Sequence, residues 1–333
     1  MTQSADTYIA ENRRDIRRVE SNFIEAPEEG TITLIFGRNI VEVEVTGEVY
    51  TRPLNDSLIV GHPTASHGIG QGAIGDRRGS WSLAASSEDT AELVRTGRTA
   101  VRDALDGQSG GIREAGIGSG TADASTSDTG LQSLSTRGVN AATEKLSGSP
   151  SVARGLGVFR FHEHEGSAAE FAIYDTGGDL LSRLTFSGVS PTNEQEVRVI
   201  VSMEVVGSGI GDSVITNDGE EAIADSIHFP KQTVGLNEIA FGNGSVGASF
   251  VKSSSSLSNE VIRKNVIRDL SFEEIIARTR ILEGEPASQP VDLSEAAVYD
   301  NASTPRMIWA TSFSPEEKTD DVTIEASIGF RVE

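Results

Sequence analysis

The chain has 333 residues, with 50 acidic against 28 basic side chains, a formal charge of −22 and no cysteine. That length suggests two or three compact units, and the missing cysteines exclude disulfides and thiolate metal sites. The charge balance argues against a nucleic-acid-binding face, which needs clustered Lys and Arg, whereas an acidic, Lys-poor surface suits hydration in concentrated salt, so the chain reads as halophilic.

Residues 1–24 place Ile9, Ile16, Val19 and Phe23 at near-helical spacing among charged residues, which predicts an N-terminal amphipathic helix or arm. Its beginning lacks the apolar stretch of a secretion signal. No run of about 18 apolar residues exists for a membrane span, so synthesis in the cytoplasm and a soluble product are expected. From Thr31 the period changes to two. Residues 31–36, 41–45 and 48–50 read as consecutive strands broken at Gly37 and Gly47, giving a small β-domain over 25–88. Within it, residues 61–80 are Gly-rich, contain His62 and His67, and read as a long loop.

The rest of the chain carries an internal repeat at an offset of about 124 residues. Residues 96–105 answer 218–227, each a short helix opened by a glycine turn. Residues 112–120 answer 236–244, an alternating strand ending in Gly-x-Gly. Residues 170–175 answer 295–300, each ending in Tyr-Asp and followed by a second apolar strand. Finally, 197–203 answers 322–328. The expected fold is mainly β (α+β): two tandem homologous sandwich-like domains over 89–206 and 214–333, each with one helix and about five strands, joined by a Gly-rich linker at 207–213.

This order, a helix, a strand ending in Gly-x-Gly, a Leu-x-Asn-Glu-Val-x-Arg stretch, then a Glu-x-x-x-Tyr-Asp strand, resembles the phage tail-collar fibre family. Asn259, Glu260 and Arg263 stand at the family's Asn-Glu-x-x-Arg positions, and Glu295, Tyr299 and Asp300 on its later strand. The first copy keeps Leu131 and Arg137 but lacks the Asn-Glu pair. The resemblance covers about 90–333 and implies a virion structural protein of a tailed virus, here one of a halophilic archaeon. Tail fibre, baseplate and tail tip are the implied locations. It further implies other virion proteins as partners and a homo-oligomer, a trimer, whose two copies per chain would give a pseudo-sixfold ring. A capsid spike or turret, and a module binding host glycan or S-layer protein, remain alternatives.

Candidates for chemistry are few. His162 and His164 share one side of an expected strand at a spacing that can hold a metal, but no third ligand accompanies them, and an exposed polar strand face is the preferred reading. His228 stands alone. No nucleophile, base and orienting acid can be nominated, and the glycines at 207–211 imitate a dinucleotide fingerprint without a helix at the right place. Asp175 and Asp300 fit turn roles after their tyrosines. Trp81, Trp309 and the four tyrosines fall mostly at strand positions expected to be buried, which argues against a glycan platform of stacked aromatics. No catalytic residue and no cofactor are expected.

Overall fold

The computed structural model describes residues 31–53, 81–87, 91–108, 111–146, 151–159, 166–190, 195–228, 234–244, 249–288 and 290–333. The expected N-terminal helix, the loop holding His62 and His67, and the His162/His164 pair lie outside these residues. The described part is mainly β, with 60% strand and 9% helix.

A 23-residue strand, β1 (Thr31–Pro53), is followed by β2 (Ser82–Ser87). Two series of nine elements then follow. The first is β3 (Ala91–Leu93), α1 (Arg95–Leu105), β4 (Ile112–Gly118), β5 (Leu134–Asn140), β6 (Ala142–Leu146), β7 (Ser151–Phe159), β8 (Ala168–Asp175), β9 (Leu180–Val189) and β10 (Gln195–Ser208). The second is β11 (Val214–Ile215), α2 (Asn217–His228), β12 (Glu238–Gly242), β13 (Glu260–Asn265), β14 (Ile267–Ser271), β15 (Glu274–Ile281), β16 (Val291–Tyr299), β17 (Met307–Lys318) and β18 (Thr323–Val332).

The two series answer each other strand for strand. One five-stranded sheet runs β3-β9-β8-β4-β5 and the other β11-β17-β16-β12-β13, the same order in equivalent elements. The remaining three strands of each copy enter one larger sheet, ordered β14-β15-β18-β1-β10-β7-β6, which is symmetric about β1. Each copy therefore contributes eight strands rather than about five: β10 and β18 coincide with the expected strands at 197–203 and 322–328, whereas β6, β7, β14 and β15, which complete the common sheet, fall among residues that the sequence does not mark as strand.

β1 does not form a small domain of its own. It pairs antiparallel with β10 from Ile40↔Ser208 to Pro53↔Gln195, and parallel with β18 from Thr31↔Thr323 to Val41↔Val332. β2 takes the second half of the edge that β18 leaves, along residues 47–51. The alternation behind this is plain in the sequence: Val41, Val43, Val45 and Val49 are buried while Glu42, Glu44 and Glu48 are exposed. Burying each valine contributes about 1.5–3 kcal/mol. The two glycines expected to break the strand do not. Gly37 sits at a bulge between Ile35 and Arg38, and Gly47 lies under Leu184, where a Cβ would come within 2.7 Å of that side chain.

The expected linker is also partly strand. Gly207 and Ser208 complete β10, with Gly207 opposite Val41, and the chain turns into the second copy within residues 209–213.

The helices bind the copies together by exchange. α2 packs on β6, β7 and β10, the half-sheet of the first copy, while α1 packs on β15 and β18 of the second. Each also lies on its own five-stranded sheet, and the two helices touch each other. Polar contacts follow the same exchange. Lys145 on β6 reaches Glu221 at 2.6 Å and Asp225 at 2.5 Å on α2, and Gly235 and Leu236 donate their N–H groups to the last carbonyls of α1, at Ala104 and Leu105. One apolar core spans β1, both helices and both copies. Between the helices lies a cavity of roughly 10 Å³ lined by residues including Gly97, Ala104 and Ile227, with room for at most one water.

Candidate functional site

Asn259, Glu260, Arg263, Glu295, Tyr299 and Asp300, the residues singled out in the sequence, lie on or beside β13 and β16, the two strands that flank β12. Arg263 lies over the Tyr299 ring at 3.9 Å and pairs with Glu260 at 2.6 Å and with Glu238 at 3.4 Å. The first copy repeats the group without Glu260: Arg137 lies 3.8 Å over Tyr174, with Glu114 at 3.7 Å. Each phenol oxygen meets the backbone of the leucine of its motif, Leu257 or Leu131. Burial pushes both phenols above their ordinary range, against the lowering effect of the arginine. These clusters are half-exposed through their arginines and acidic side chains, so they can dock a partner as well as brace a sheet.

Beneath each cluster a buried glutamate holds the Gly-x-Gly loop. Glu170 accepts from the N–H groups of Gly120 at 3.0 Å, Gln132 at 3.0 Å and Ser133 at 2.7 Å. The fully buried Arg183 donates to it through Nε at 3.0 Å and Nη2 at 2.9 Å, and to Asp128 at 2.7 Å. Burial alone would raise the Glu170 carboxyl, but the N–H groups of Ser133 and Gln132 and the guanidinium leave it below the usual carboxylate range. The glycines are required by close approach, because a Cβ on Gly118 or Gly120 would run into this carboxylate.

The second copy departs from this in one respect. Glu295 accepts from Ser258 N–H at 2.9 Å and lies against Gly242 and Gly244, yet its other oxygen is buried with no hydrogen-bond donor among the described residues. The pairing registers Ala172↔Arg183 and Ala297↔Ala310 show why: Ala310 stands where the first copy has Arg183. Asn259 bridges to Asn243 at 2.5 Å, where the first copy has Ser133 and Ser119 at 3.0 Å.

Asp175 and Asp300 hold turns. Asp175 accepts from the N–H groups of Gly177 and Asp179, both at 2.8 Å. Asp300 accepts from Arg306 through both its N–H and its Nε, each at 2.8 Å, and Arg306 continues to Asp225 at 2.8 Å. His228 is buried on α2, which holds its imidazole below the ordinary value. Among the described residues no three metal-ligating side chains come together.

Three features escaped the sequence. Arg183 was one apolar-strand residue among many, and only its spacing from Glu170 on the neighbouring strand could have marked it. Asn39, inside β1, gave no signal. Of the aromatics expected to be mostly buried, Trp309, Tyr174 and Tyr299 are, whereas Trp81 and Tyr50 are partly exposed, and nothing local in the sequence separates the two groups.

Comparison with protein-family models and with curated proteins finds no match. Among solved structures, the 12:0-ACP thioesterase from Umbellularia californica aligns at 10% identity over 62% of this chain and 72% of that one, with a TM-score of 0.08. A score that low carries no structural relationship.

Proposed function

We propose that this chain is a virion structural protein of a tailed virus of a halophilic archaeon, a component of the tail fibre, baseplate or tail tip that serves assembly and host attachment. The observation that carries the proposal is the recurrence of one nine-element unit, with the Gly-x-Gly loop, its buried glutamate and the Arg-over-Tyr pair at equivalent places in both copies. That is the order of motifs in which the sequence resembles the collar-fibre family. Two further features support a structural rather than a catalytic role. The recurring carboxylates Glu170, Asp175 and Asp300 spend their acceptors on backbone and arginine donors, and the exchange of helices makes a body suited to bearing load.

In this reading the partners are other virion proteins and further copies of the chain. A trimer would present six similar units, matching a sixfold tail by rotation of a duplicated patch. The placement on a capsid spike or turret is a second reading, favoured by nothing that the tail reading lacks. Mass spectrometry of purified particles tests the proposal: the chain is expected in them at a stoichiometry divisible by three, and its absence from the particle removes the proposal.

A further inference from the structure

The outer face of the common sheet carries a group of residues that the duplication does not explain. Tyr50 on β1 stands directly opposite Arg198 on β10. The Arg198 guanidinium lies 4.8 Å from the Tyr50 ring and 4.7 Å from the Trp81 ring, and Arg52 lies 4.4 Å from the same indole. Arg52 is engaged by Glu196 at 2.7 Å, and the Tyr50 hydroxyl by Glu48 at 3.1 Å. Arg154, farther along the face, donates to Ser202 at 3.2 Å and has Glu144 at 3.6 Å.

Arg198 differs from these. Its Nε is buried without an acceptor, and none of its nitrogens has a carboxylate or carbonyl partner among the described residues, in a chain with 50 acidic side chains. Burial holds its guanidinium below the ordinary range, Arg52 adding to this while Tyr50 and Glu48 oppose it, and a cation so desolvated gains from a directly bonded anion. A planar guanidinium fixed between rings is arranged for two-pronged contact with an oxyacid.

We infer that Arg198, flanked by Tyr50 and Trp81, binds the acidic group of a sugar, a uronate or a sulfated hexose. Two considerations select this ligand. In molar salt, charges are screened over about 3 Å, so an ion pair alone gives little and the ligand must also cover the aromatic rings with apolar surface, as the C–H face of a pyranose does. A peptide carboxylate supplies the charge without the ring-covering surface. For its biological meaning the inference rests on the attachment part of the proposed role. Absence of the chain from particles would end that role and leave the binding result standing.

The test is titration calorimetry on the full chain in molar salt, with a disaccharide ending in glucuronate, a sulfated disaccharide, their neutral counterpart and triglutamate. At least one acidic sugar is expected to bind, with the neutral sugar and triglutamate weaker by about tenfold or more. Arg198→Gln should lower the affinity by about tenfold, Arg198→Lys by less, and Arg278→Gln, on the other half of the sheet, should leave it unchanged. Should Arg198→Gln fail to fold, the indole N–H resonance of Trp81 in the unmodified chain serves instead, and it should shift with acidic sugar only. Equal binding of the neutral sugar, equal binding of triglutamate, no binding of any sugar, or an unmoved Trp81 resonance would each overturn the assignment.

Discussion

The indole Nε1 of Trp309 donates to Oδ1 of Asn39 at 2.9 Å, joining the second copy to the strand that divides the two. The same oxygen accepts from Ser213 Oγ at 2.9 Å in the turn between copies, and Asn39 Nδ2 donates to Gly329 O on β18 at 3.2 Å. Asn39, Trp309 and Gly329 are buried and Ser213 is half-buried, so a lost partner leaves polar groups away from water. Asn39→Leu is expected to destabilise the protein by about 2–4 kcal/mol in denaturant titrations. Trp309→Phe would remove one of the two donors to that oxygen and empty some volume, at a smaller cost.

Gly97 and Gly219 open the two helices at equivalent points, and a Cβ on either would collide with a backbone carbonyl, that of Leu181 or Ile308. Backbone cannot step aside as a flexible side chain can. Gly97→Ala and Gly219→Ala should therefore each cost about 3 kcal/mol or more by thermal or chemical unfolding, although alanine is the better helix former.

The buried pair Glu170–Arg183 and its unmatched counterpart Glu295 separate two effects. Arg183→Met strands a buried carboxylate and should cost about 3–5 kcal/mol, while adding Glu170→Gln should recover part of the loss. Glu295 already lacks the arginine. Glu295→Gln is accordingly expected to be near neutral in the same unfolding assay, and a large destabilisation there would show that Glu295 has a cationic partner in solution.

Acid should weaken the protein at two stages. His228 has a folded value below its ordinary 6.5, so its contribution is present above 6.5 and is lost as pH falls from there through the lowered value. Glu170 has a folded value below its ordinary 4.5, so its contribution is lost as pH falls from 4.5 through the lowered value. Unfolding midpoints measured against pH should show both, with His228→Gln removing the upper stage and Glu170→Gln the lower.

The two Arg-over-Tyr pairs should behave as independent equals. Double-mutant cycles on Arg137/Tyr174 and on Arg263/Tyr299 are each expected to give a coupling of about 1 kcal/mol, additive between the copies.

The duplication was legible because alternating apolar positions, glycine pairs and the Tyr-Asp strand ends recur at fixed offsets, and such local signals survive in a sequence. What joins the copies was not. Pairing of β1 with β10 and β18 runs through backbone groups more than 100 residues apart, which leave no mark on residue type beyond an alternation that any strand would show. Gly37 and Gly47 then looked like breaks, since nothing local reveals that one marks a bulge and the other makes room for Leu184. Arg183 was invisible for a similar reason: its partners come from two other segments, 122–128 and β8.

A reconstruction of the virus particle by electron microscopy tests the central claim most directly. The claim predicts density for the shared sheet and its two flanking five-stranded sheets, repeated three times around the axis of the tail or its appendages. Particles complete in every component but containing no such density would contradict it.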